Sequence, residues 1–324
     1  MKLLFFSMLL MASAADASNS IEECFKNNPK IPTNLDQACI YSDLKMGTIR
    51  KEFKYFQPRF KLWTDGAQKR RWIYLPANSK INNSDSNSWS YPLGTVLVKE
   101  FSIGTLRVET RILKKVKKED GPSAWLWGTW GWNKQQDAAV SITEGANDVL
   151  GTNHDIPRLH GCFACHSGRK DLVLGFGSIQ LSSTELPLNL QQLNSQKLLT
   201  HKTPNHYTLP GTATDQKALG YLHANCSHCH NADHHMGERV GMFLKIKVGV
   251  PLLEQPVYKT AVDVPTRFFR GKDFRIISGD IENSAIYHRM NSTERGIRMA
   301  PLGREVIDPY GIEVLSNWIV NLKN

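Results

Sequence analysis

From Phe53 to about Val149, apolar and polar positions follow the period of a β-strand. Arg71–Leu75, Thr95–Lys99 and the alternating Arg107–Leu113 are short runs rich in aromatic and β-branched residues, separated by turn clusters such as Asn82–Asn87. Trp125, Trp127, Trp130 and Trp132 follow in a Gly-punctuated run, and Ala138–Ile142 is one more candidate strand. The pattern predicts a β-sandwich or partly open barrel of roughly 100 residues. Large aromatics on strands are mostly core, so the tryptophans are expected there rather than as a platform for a sugar or quinone or a route for electrons.

After Gly151 the period changes. Leu186–Leu199 carries apolar residues at helical intervals, and Thr200–Asp215, with Pro204 and Pro210-Gly211, reads as a loop. A helix is expected over Asp215–Asn225, with Ala218, Leu219 and Leu222 on one face and Asp215 as candidate cap. A final helix opens at Asp308-Pro309, where Ile312, Leu315 and Ile319 lead an amphipathic stripe. At the other end, Lys2, the apolar run Leu3–Met11 and the small residues Ala12–Ala17 have the form of a secretory signal, so 1–17 is expected to be removed. That run is too short to span a bilayer, and no later segment approaches the length a transmembrane helix needs.

Cysteine brings in the chemistry. Four of the six cysteines lie in two Cys-x-x-Cys-His pentapeptides, Cys162–His166 and Cys226–His230. Each pair of thiols can add across the two vinyl groups of one haem, and the adjacent His166 or His230 can ligate its iron as proximal imidazole. Two such units imply two covalently bound haem c groups. A structural zinc site would also use two thiolate knuckles, but these stand about sixty residues apart and each is followed by His. A thioredoxin-like dithiol needs a βαβ context that the flanks lack. Cys24 and Cys39 remain, and in an oxidising compartment they are expected to form a disulfide near the mature N-terminus; two unpaired thiols are the alternative.

For the distal face of the second haem, Met299 in Arg298–Gly303 is the leading candidate and Met290 the other. The first haem has no such option, because no Met occurs between His166 and Met236. Its sixth ligand is expected from His154, with His160, His201, His206, a residue of the β-rich domain or an empty position as alternatives. His228, His234 and His235 need have no role.

A formal charge of +10 and a pI near 9.3 favour encounter with an acidic redox partner or an anionic surface, although a solvated basic background gives the same figures. No nucleic-acid recognition motif accompanies the charge, so nucleic acid is not an expected partner.

Several stretches together resemble a family. Pro58–Pro76, Tyr91–Thr95, Glu109–Arg111, Gly151–Pro157, Ala218–Cys226, Ser278–Asp280, Tyr287–Met290 and Met299–Gly303 are similar to segments of exported bacterial dihaem cytochromes c, proteins mostly described only as haem-binding. The likeness runs over nearly the whole mature chain and implies haem binding and electron transfer without an assigned substrate. The expected organisation is α+β and multidomain: an N-terminal segment over 18–52, the β-rich domain over 53–150, a first haem unit over 151–214 and a second over 215–324, the haem units mainly helical and cytochrome c-like. Two functions follow, a periplasmic single-electron carrier or a dihaem oxidoreductase of the cytochrome c peroxidase type with one open haem. No catalytic residue is assigned for the second.

Overall fold

The computed structural model describes residues 20–269 and 271–323; the expected signal segment lies outside them. The chain opens on α1 (Ile21–Asn27), where the Ser20 hydroxyl accepts from the Glu23 amide at 3.2 Å and so satisfies an otherwise unpaired helix donor. Cys24 and Cys39 are joined as a disulfide, Cα atoms 6.0 Å apart, and a small hairpin follows, β1 (Tyr41–Asp43) with β2 (Thr48–Ile49).

The remaining strands form one antiparallel sheet in sequence order: β3 (Lys54–Phe56), β4 (Gln68–Tyr74), β5 (Val96–Ile103), β6 (Leu106–Lys115), β7 (Trp125–Trp132) and β8 (Ala139–Ser141). This corrects the expectation of a sandwich or barrel. Among the described residues no pairing joins β3 to β8, and the other sheet is only the two-stranded β1–β2 hairpin, which lays Tyr41 against the larger one. Both faces are apolar, but different material covers each. Trp72, Val98 and Ile112 on one face pack with Ile21, Leu35 and Ile40 of the disulfide-closed segment. Ile73, Leu97, Leu113 and Trp127 stand in register on the other and meet Phe176, Leu181 and Leu190. Alternation along a strand shows that a face is buried and is silent about what buries it.

The mainly helical cytochrome c-like domains are also corrected. Helix makes up 25% of the chain and strand 19%, and the second half is largely irregular. It holds α2 (Phe163–His166), α3 (Leu190–Ser195), α4 (Ala213–Asn225), α5 (His235–Val240), α6 (Pro256–Thr260), α7 (Ala285–Met290) and α8 (Pro309–Asn321), of which only α4 and α8 reach 13 residues. The helical pattern of Leu186–Leu199 yields just the six residues of α3, because Lys197 turns into the left-handed region at φ 55°.

The two long helices pack on each other. Thr212 rather than Asp215 caps α4: its hydroxyl accepts from the Asp215 amide, while Asp215 accepts the Thr212 amide in return. The second Asp215 oxygen accepts from Trp318 Nε1 at 3.0 Å and from Tyr258 at 2.9 Å, tying α4 to α8. Gly311 makes that approach possible, since a Cβ there would fall 2.1 Å from the Tyr221 hydroxyl. Among the described residues no helix is long and apolar enough to cross a membrane.

Candidate functional site

Helix α4 runs directly into the second pentapeptide. The Cys226 amide donates to Leu222, and those of Cys229 and His230 both donate to Cys226, a tight turn that sets all three side chains on one face. In the first pentapeptide a 3₁₀ turn over Leu159–Cys162 leads into α2, and the same spacing operates. All four thiols are free.

His166 is oriented by a backbone acceptor: Nδ1 donates to the Leu172 carbonyl at 2.6 Å, which leaves Nε2 as the ring's lone-pair nitrogen. Burial, followed by the nearby Lys99 charge, pushes its pKa down to about 3, so the imidazole is neutral at ordinary pH. Trp127 stands edge-on to it, ring centroids 4.9 Å apart. Trp125, Trp130 and Trp132 are core as expected, whereas Trp127 belongs to this site. His230 is likewise neutral, its pKa lowered to about 4 by burial and then by His228, and its Nδ1 has no partner among the described residues.

His230 and Met299 line one cavity that opens to solvent. Met236 and Met242 line it too, as do several arginines. Met290 does not: it is buried at 6% exposure in the core of α4 and α8 with Leu219 and Trp318. Met236 and Met242 went unmarked in the sequence because nothing in their spacing distinguishes a cavity wall from core filler.

The two pentapeptides touch. Cys229 Sγ donates to the Ala164 carbonyl at 3.1 Å, His234 Nε2 lies 3.2 Å from the same oxygen, and Arg169 donates to the Ser227 hydroxyl at 2.7 Å. Gly168 permits the contact, since a Cβ there would meet the His228 carbonyl at 2.2 Å. Cys165, His228 and Cys229 place their ligand atoms within 4.8 Å of one another. The closeness of the two thiols lowers the Cys165 pKa and raises that of Cys229.

His154 has a partner other than iron. Its ring is fully buried, with Nε2 2.8 Å from Glu109 Oε2, and Phe101 flanks it. Burial alone would raise the Glu109 carboxyl, yet the Arg111 charge and the His154 hydrogen bond hold it below the ordinary value. Arg111 acts electrostatically on both Cys162 and Cys165, so this buried acid, base and guanidinium group neighbours the first pentapeptide. Of the alternatives, His160 is exposed, His201 Nδ1 lies 3.0 Å from the Thr200 hydroxyl and His206 Nδ1 3.5 Å from that of Ser182. Glu109 and His154 stand 45 positions apart, and no local pattern links them.

Compared with family models, with curated proteins and with solved structures, the chain matches none.

Proposed function

We propose that this chain is an exported c-type cytochrome carrying two covalent haems and passing single electrons to a periplasmic partner. Cys162 and Cys165 would hold one haem with His166 beneath its iron, and Cys226 and Cys229 the other with His230. The donors suit that role: each turn offers two free thiols and a neutral imidazole, and His166 Nε2 is left as the ring's lone-pair nitrogen by the bond from Nδ1 to Leu172. Bound haem supplies one-electron redox chemistry that the protein tunes through its axial ligands. The observation that carries the reading is the cavity that His230 and Met299 share, because it sets a thioether and an imidazole around one apolar space. Contact between the two turns keeps the groups they hold adjacent, and the basic surface favours an acidic partner.

A second reading has its own support. The buried Glu109, His154 and Arg111 group beside the first pentapeptide is an acid-base arrangement of the kind a dihaem oxidoreductase needs near an open haem. Optical and EPR spectra decide between the two. A carrier shows two low-spin haems that ignore cyanide, whereas a high-spin haem that reacts quickly with peroxide establishes the oxidoreductase.

A further inference from the structure

Across the sheet face that looks toward the pentapeptides, Arg71, Lys99 and Arg111 occupy one register row on β4, β5 and β6. Like charges side by side on adjacent strands oppose folding unless something answers them. Arg111 is answered by Glu109. The other two are not: Arg71 donates to the Lys69 carbonyl at 3.3 Å, Lys99 rests 5.8 Å from the Phe101 ring, and neither meets a carboxylate among the described residues.

Both line a cavity between this face and the second half of the chain. Arg169 and Lys170 add two more cations to its wall. Its one acid is Asp171, whose oxygens are taken by Lys115, the Tyr91 amide and Trp125 Nε1. Trp89 and Ser178, buried at 6% and 4% exposure, also line the cavity, and Trp89 Nε1 and Ser178 Oγ have no hydrogen-bond partner among the described residues. Buried polar groups are almost always satisfied, so two orphans in one wall mark the place of a missing partner. Burial and the neighbouring Arg71 charge push Lys99 down to about 7, a penalty that an anion would relieve.

We infer that this cavity is an anion site, in which Arg71, Lys99 and Arg169 with the orphaned Trp89 and Ser178 groups take carboxylate oxygens. Two sources offer that chemistry: a free small carboxylate, or the propionates of a haem tethered to the neighbouring turn. Only the second source rests on the proposed function.

The test uses the full chain matured with haem, its Lys99→Met and Arg71→Gln variants, and Lys134→Gln, an exposed lysine outside the cavity, as control. Melting temperature is followed against succinate, and haem content and midpoint potentials are measured on the same samples. A free-anion site gives a saturable rise in melting temperature that weakens at least tenfold in Lys99→Met and Arg71→Gln but not in Lys134→Gln. A propionate site gives no response to succinate, while both inner variants keep two haems and lower the potential of one. If succinate leaves the unmodified protein unchanged and the inner variants leave both potentials unchanged, the inference is wrong. Should the protein carry no haem, the proposed function fails, and the succinate titration alone decides the anion site.

Discussion

His166 gives its Nδ1 proton to the carbonyl oxygen of Leu172, six residues on and 2.6 Å away. The bond fixes the tautomer and aims the ring, the support that a ligating imidazole receives in metal sites generally. His230 lacks an equivalent at Nδ1 among the described residues but shares its cavity with Met299. The two turns are therefore built differently, and substitutions should separate them.

Met299→Ala is expected to abolish the near-infrared methionine-to-iron band of a ferric haem and lower that haem's potential. Met290→Ala should leave the band intact and instead cost about 2 to 5 kcal/mol of stability, since it empties a buried core position. Loss of the band in Met290→Ala and its survival in Met299→Ala would reverse the assignment.

Replacing Cys24 and Cys39 together by Ala should lower stability to urea by about 2 to 4 kcal/mol through the freed unfolded chain. Haem content should not change, because these thiols sit on the far side of the sheet from the pentapeptides. A fall to one haem per chain would show that the pairing has another role.

Gly311→Ala should destabilise the α4 and α8 pair by about 1 to 3 kcal/mol, as the new methyl displaces Tyr221 from its 2.9 Å bond to Asp308. Urea unfolding checks this, and an unchanged midpoint would mean that the helices part easily.

Lys99 supplies a pH dependence. Its folded pKa is about 7, against an ordinary lysine near 10.4, so between these values the unfolded chain binds more protons. Stability should therefore rise as pH climbs from about 7 toward 10, and Lys99→Met should lose that part of the rise. Parallel urea midpoints for the two proteins across this range would contradict the assignment.

The proposed attachment residues stand out in the sequence because Cys-x-x-Cys-His packs its chemistry into five positions, and Met299 stands out by the Pro301 and Gly303 that follow it. Helices α4 and α8 were legible too, from their apolar stripes and the Asp308-Pro309 start. What escaped depended on register or distance. The Arg71, Lys99 and Arg111 row exists only once β4, β5 and β6 are aligned, and along the chain each is one more basic residue. The partnership of His154 with Glu109 has no sequence signal because Glu109 lies on another element. Trp127 shared the spacing of three core tryptophans and differed only in facing His166. The six-stranded sheet has the sequence pattern of a sandwich because coil, short helices and a small hairpin, which carry little periodic signal, cover both of its faces.

Covalent haem content, measured by the pyridine haemochrome spectrum on denatured protein expressed with a cytochrome c maturation system, tests the central claim most directly. The account predicts two haems per chain, falling to one in Cys226→Ala with Cys229→Ala and to one in Cys162→Ala with Cys165→Ala. Protein that emerges without covalent haem but with stoichiometric zinc, held by the Cys165, His228 and Cys229 cluster, would contradict it.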